Sequence, residues 1–258
     1  MRVRHLRESI VLIAACGATL AVVFALPQAA QAIGFRMWEV ENGNVATPPA
    51  EANAIALQGG TAYIAGYGTA AAGTLEWRIE RRDRSTGALD PGFGAGGVVT
   101  YDAFPSDDDY ATGIVADGIY LYVTGFYSSG GSGFVVRKYD GSGNLTQMNT
   151  PPLVAGQRFT PTAIAQDATK LYVVGQNKAC SPDCVYSWQL ERINKATLVS
   201  DYLVGTSFAS GKWASPNAVA VGAGALYAVG YDQVGGIGNH EWRTEKRRLD
   251  TGALCDGV

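Results

Sequence analysis

The chain of 258 residues holds 33 glycines, 47% hydrophobic residues, 17% charged residues, 13 Tyr, 8 Phe and 5 Trp. That is too apolar and aromatic for a disordered chain and too rich in glycine for a helical bundle. A net charge of −3 argues against a nucleic-acid binder, and two histidines, His5 and His240, leave little for a His-ligated metal or a His-based triad.

Residues 1–32 read as a secretory signal. Arg2, Arg4 and Arg7 form a positive n-region, residues 10–26 are apolar, and Ala30-Gln31-Ala32 is a small-x-small cleavage site. Two alternatives stand beside it. The apolar stretch lies at the short edge of a bilayer span and would also serve as an uncleaved anchor. Ile13-Ala14-Ala15-Cys16 resembles a lipobox, although the chain stays apolar through Leu26 where a lipidated cysteine leads into a polar tether. Cleavage after Ala32 is the preferred reading. It predicts a secreted, periplasmic or cell-surface protein whose residues 33–258 form one repeat domain with no membrane association.

Four units fill that domain, at about 53–101, 112–150, 162–204 and 217–258, spaced by about 50–60 residues. Each opens on Asn53-Ala-Ile-Ala, Thr112-Gly-Ile-Val, Thr162-Ala-Ile-Ala or Asn217-Ala-Val-Ala. A second strand follows and ends in glycine: Tyr63-Ile-Ala-Gly66, Tyr122-Val-Thr-Gly125, Tyr172-Val-Val-Gly175 and Tyr227-Ala-Val-Gly230. A third begins with an aromatic and carries a cation four residues on: Trp77 with Arg81, Phe134 with Lys138, Trp188 with Arg192, and Trp242 with Lys246. A turn and a fourth strand, such as Gly97-Val-Val-Thr-Tyr101, complete the unit. Short Tyr/Val-rich runs bounded by Gly, Asp, Asn and Pro are strands, and four per unit is the pattern of a propeller blade. No amphipathic run beyond residue 32 lasts more than about two turns without Gly or Pro, so no helix is expected.

Unit two, from Ala111-Thr-Gly-Ile-Val through Leu121-Tyr-Val-Thr-Gly125 to Phe134-Val-Val-Arg-Lys-Tyr-Asp-Gly, resembles the bacterial SBBP-type β-propeller repeat. Unit one contains Thr86-Gly-Ala-Leu-Asp-Pro-Gly-Phe-Gly-Ala-Gly-Gly-Val98, which resembles the delta-60 repeat of exported bacterial proteins. Unit three departs in lacking the Gly-rich entry to its fourth strand, and unit four has Cys255 where unit one has Asp90. The resemblance implies an all-β propeller in a secreted or surface protein, built from structural modules without catalytic residues. The expected architecture has four blades of about four strands, with residues 35–41 closing the last sheet as its outer strand. The alternative is a fragment of a larger propeller.

Candidate site residues are few, and each has a plainer reading. Cys180 and Cys184 are expected to form a disulfide that stiffens a hairpin, since exported proteins favour that pairing; Cys255 has no evident partner. Asp107 and Asp109, in a run of three aspartates near Asp102, are candidate Ca²⁺ ligands, or else part of a solvated loop. Asn53, Thr112, Thr162 and Asn217 occupy one place in all four units. They form either a polar ring that binds a small ligand at the axis or a set of strand-entry caps. Trp77, Phe134, Trp188 and Trp242 recur at blade spacing, as core aromatics do. Trp38 and Trp213 fall outside that register, and Trp213 is the loop aromatic for a sugar. The Arg/Glu-rich runs at 78–84 and 243–248 read as cross-strand ion pairs at blade edges. Two functions follow: a non-catalytic binding or surface-scaffold propeller for a protein or glycan, or a lyase or hydrolase at the channel mouth. The scattered carboxylates favour binding, and no cofactor is required.

Overall fold

The computed structural model describes residues 50–128, 134–150, 157–180, 184–206, 213–233 and 239–255. The signal, the proposed closing strand at 35–41 and Trp38 lie outside them.

The described residues contain strands and no helix, arranged in four antiparallel sheets that form the blades of a four-bladed β-propeller. Blade one holds β1 (Glu51–Gln58), β2 (Thr61–Thr69), β3 (Leu75–Asp83) and β4 (Val98–Tyr101). Blade two holds β5 (Asp109–Ala116), β6 (Tyr120–Tyr127), β7 (Phe134–Asp140) and β8 (Leu145–Asn149). Blade three holds β9 (Gln157–Gln166), β10 (Lys170–Cys180), β11 (Cys184–Asn194) and β12 (Ser200–Thr206). Blade four holds β13 (Ala214–Gly222), β14 (Ala225–Gln233) and β15 (His240–Arg248). Strands pair in sequence order within each sheet, so every blade is a meander.

Turn chemistry explains where strands end. The turns after β3, β7 and β15 use Gly87, Gly143 and Gly252 at φ 74°, 85° and 69°, a region that costs glycine nothing. Blade three has no glycine there and places Leu198 at φ 53° instead. Two features offset the strain: Asn194 Oδ1 accepts the Ala196 and Thr197 amides, and Leu198 is buried in the core. The segments after β3 and β15 also fold alike, since Leu89 bridges Arg82 as Leu254 bridges Arg247.

The core consists of three apolar clusters, one between each successive pair of blades. Two further contacts repeat at these joints. The third-strand aromatic of one blade packs on the second-strand glycine of the next. A Cβ built on Gly125 would stand 2.5 Å from Trp77 Cζ2, and one on Gly230 would stand 2.8 Å from Trp188 Cζ2. Between blades two and three, Phe134 meets Phe159 edge-on at 5.0 Å, and Phe159 in turn reaches Gly175. The cation four residues after the aromatic donates to a turn carbonyl of the next blade: Arg81 to Gly141 O (2.8 Å), Lys138 to Lys195 O (3.1 Å) and Arg192 to Leu249 O (2.6 Å). Each acceptor stands seven residues after its own blade's aromatic.

Blade four turns a different surface outward. Trp242 is 99% exposed, whereas Trp77, Phe134 and Trp188 are 1–3% exposed. The arginine–glutamate runs pair mainly along single strands, and Arg243 also reaches across to Asp232 of β14. Glu80 lies between Arg78 and Arg82 on one face of β3, and Glu245 between Arg243 and Arg247 on β15. The two-residue strand period puts all three on the same face, and each glutamate is buried.

Candidate functional site

The two ends of the propeller differ in chemistry. At one end lie the β1–β2-type hairpin turns and the turns after each third strand. Here acidic side chains are committed to their own turns. Asp83 accepts from the Ser85 hydroxyl and amide and from Thr86, and the Ser85 hydroxyl, followed by the Thr86 amide, holds it down to about 2. Asp140 takes the Ser142 and Asn144 amides and the Asn144 side chain, and the Asn144 bonds lower its pKa. Asp117 and Asp167 cap the second-strand entries of their blades in the same way.

At the other end, first strands begin, second strands finish and third strands begin. Aromatic side chains gather there because Tyr67, Phe126 and Tyr231 each follow the second-strand glycine. Tyr67 meets Tyr110 edge-on at 5.1 Å, and Tyr110 stacks on Phe126 at 4.9 Å. Tyr67 Oη donates to Glu51 at 2.7 Å, a bond that raises its pKa. Phe104 packs edge-on against Tyr127 at 5.1 Å. Tyr231 stacks on His240 at 4.4 Å.

A half-exposed stacked aromatic at this end is Trp213. It stacks on Tyr186 with centroids 4.5 Å apart and planes 17° apart, and it remains 51% exposed. The residue is held from both sides of its peptide: its amide donates to Gln233 Oε1 (3.0 Å), and its carbonyl accepts the Gln233 amide (2.7 Å). Beneath it, Tyr186 sits on the β10–β11 hairpin opposite Lys178, whose ammonium lies 5.5 Å from the Tyr186 ring. The Cys180–Cys184 disulfide closes that hairpin, with Cα atoms 3.9 Å apart, and Cys255 is a free thiol.

The aspartate run diverges. Asp108 Oδ1 accepts the Leu75 amide of blade one at 2.9 Å, and its own amide donates to Ser128 Oγ. Asp109 is fully buried and accepts the Ala103 amide at 2.6 Å; burial pushes its pKa up to about 6. Asp107 is half-buried beside Ser106. Among the described residues no group of three or more His, Cys, Asp or Glu side chains converges to hold a metal ion, so the Ca²⁺ reading of Asp107 and Asp109 gains no cluster.

Asn53, Thr112, Thr162 and Asn217 each occupy the unpaired position of a β-bulge in the first strand of their blade. Their side chains serve the backbone. Asn53 Nδ2 donates to Ala111 O of the next blade (2.9 Å), and Thr162 Oγ1 donates to Pro216 O of the next blade (2.6 Å). Thr112 Oγ1 bonds Thr124 O within its own sheet. Asn217 is exposed. The bulge explains the repeated glycine: a Cβ on Gly66, Gly125, Gly175 or Gly230 would stand 1.8–2.3 Å from a carbonyl oxygen of the neighbouring first strand.

Of the residues singled out from sequence, the structure unites Trp213 with the disulfide hairpin through Tyr186. Tyr186, Tyr110 and Tyr67 were not singled out, although the aromatic that follows the second-strand glycine in three of the four units marks this end.

No known protein family and no curated protein matches the sequence. Among solved structures, the chain is similar to the GH43 endo-arabinanase from Bacillus licheniformis at 16% identity and a TM-score of 0.43, over 79% of this chain and 73% of that one. Among the described residues no helix is long and apolar enough to cross a membrane.

Proposed function

We propose that the protein is an exported, non-catalytic propeller that binds a glycan at its aromatic end, with its SBBP- and delta-60-like units serving as scaffold. The exposed Trp213 ring, stacked on Tyr186 and fixed by Gln233, carries this reading. A rigid indole with one face supported and the other open to solvent offers a large apolar platform at little entropic cost, suited to the flat C–H face of a sugar ring. The disulfide across β10 and β11 fixes the hairpin that supports it, and disulfides belong to oxidising compartments outside the cytosol. At the opposite end, the turn aspartates are engaged by their own amides and hydroxyls, which leaves them no acid/base task.

Affinity electrophoresis through gels containing individual soluble polysaccharides tests the proposal. At least one polysaccharide should retard the wild-type chain, and Trp213→Ala should weaken that retardation about tenfold or more. Equal retardation of the two proteins would remove Trp213 from the site. Release of new reducing ends from the bound polysaccharide would replace the binding module with an enzyme.

A further inference from the structure

We propose that the glycan is acidic: a hexuronate-bearing polysaccharide whose ring stacks on Trp213 while its carboxylate meets Lys178 and Arg158. The inference rests on the glycan-binding reading above and adds to it the charge of the ligand.

The register of blade three places the two cations. Arg158 of β9 stands opposite Lys178 of β10, and Lys178 stands opposite Tyr186 of β11. Residues directly across an antiparallel sheet share a face, so Arg158, Lys178 and Tyr186 form one row. Gln176, two residues before Lys178 and therefore on the same face, donates to Ala214 O of blade four at 2.8 Å. That bond turns the row toward the entry of blade four, where Trp213 stacks on Tyr186.

Both cations lack a carboxylate. The other three cations of blade three each have one: Lys170 and Arg192 share Asp201, and Lys195 meets Asp117. Arg158 is exposed and Lys178 is half-buried, with its ammonium 5.5 Å from the Tyr186 ring. Neither forms an ion pair among the described residues. Asp232, which stands opposite Ala214 on β14, is held by Arg243 at 2.8 Å. The sign is reversed at the other aromatic group of this end, where Tyr67 and Tyr110 donate to Glu51 and Asp108.

An open indole beside two unpaired cations selects an anionic ring. Stacking supplies apolar area, and a cation–carboxylate contact supplies a charge-assisted hydrogen bond. A hexuronate carries its carboxylate directly on a ring carbon, so ring and charge move as one body. Seating the ring on Trp213 then brings the carboxylate to the cations at little further ordering cost. The planar guanidinium of Arg158 suits both oxygens of such a group.

Affinity electrophoresis at low and high salt, in gels of polygalacturonate, alginate, their carboxyl-reduced forms and dextran sulfate, tests the proposal. At least one uronate polymer should retard the wild-type chain at low salt, and its carboxyl-reduced form should do so about tenfold more weakly. Arg158→Gln/Lys178→Gln should lose about tenfold toward the uronate and nothing toward the reduced form, with an unchanged circular dichroism spectrum. Arg158→Lys/Lys178→Arg should restore most of the retardation, and Trp213→Ala should weaken binding to both forms. Equal retardation by a uronate and its reduced form, or a glutamine variant retarded like the wild type, would overturn the acidic ligand and leave glycan binding standing. Retardation by dextran sulfate alone, or by anionic polymers regardless of Trp213, would also overturn it. No retardation by any polysaccharide would overturn the glycan reading itself.

Discussion

Glu191 provides a quantitative test of how the joint between blades two and three is built. It stands on β11 at the place that Glu80 holds on β3 and Glu245 on β15, and it is 3% exposed. Its neighbours on the same face of the strand are Gln189 and Ile193, where the other two glutamates have an arginine on each side. Burial without a cation pushes Glu191 up to about 7 from an ordinary 4.5, opposed in part by the Ser200 hydroxyl. At about 1.4 kcal/mol per pKa unit, the folded state loses about 3 kcal/mol once the group ionises. Because the folded value is raised, the favourable contribution is fully present below pH 4.5 and disappears as pH rises through about 7. Glu191→Gln keeps the shape and removes the charge. The variant should melt within a degree or two of wild type at pH 4.5. At pH 9 it should be more stable by about 3 kcal/mol, which for a chain of this size is a gain of roughly 6–12 °C. Calorimetry of both proteins across this range isolates Glu191 from Asp109, whose titration is common to the two. A difference independent of pH, or a variant less stable at pH 9, would refute the assignment of an uncompensated buried carboxyl.

The glycine opposite each bulge should be intolerant of a methyl group. Gly125→Ala would drive Cβ to 2.0 Å from Tyr110 O and 2.5 Å from Trp77, costing about 3 kcal/mol or more in a denaturant titration, whereas Gly141→Ala meets nothing within 4 Å and should be nearly neutral. Removal of the Cys180–Cys184 link by a double serine substitution should cost only about 2 kcal/mol, because the loop it closes is short. Thermal unfolding with and without reductant should show the same modest shift in the wild type.

Much of the fold is readable from spacing alone. The second-strand glycine, the third-strand aromatic and the cation four residues on are visible as a register, and at the three joints between successive blades they are halves of contacts between blades. What the register does not reveal is the partner. A cation near an aromatic reads as a local feature of one strand, yet Lys138 spans to Lys195 O, 57 positions away. The polar residue at the head of each first strand likewise reads as a cap or a ligand group. Its role follows from the bulge, which pushes one residue out of the ladder and, at Asn53 and Thr162, lets the side chain reach a carbonyl of the next sheet. Bulges have no composition of their own, so the clue lies across the sheet in a glycine whose Cβ has no room. The aromatic end was less legible, because stacking depends on which loop descends beside which hairpin: Trp213 and Tyr186 belong to different blades and meet only in three dimensions.

The joints also explain why units of such unequal sequence can follow one another. Each joint combines apolar area, one backbone acceptor for a cation and, at the first and third joints, a second acceptor for the bulge residue. The acceptors are backbone carbonyls, which every residue supplies. Gly141, Lys195 and Leu249 therefore serve equally well at the same turn position. The aromatic–glycine contact tolerates less variation, since it needs a vacant Cβ on one side. Where Phe134 replaces tryptophan, the shorter ring does not reach the glycine directly, and Phe159 fills the gap between Phe134 and Gly175. A change on one side of a joint is thus answered on the other side, which makes the pair of faces, and not the single blade, the unit that the sequence specifies.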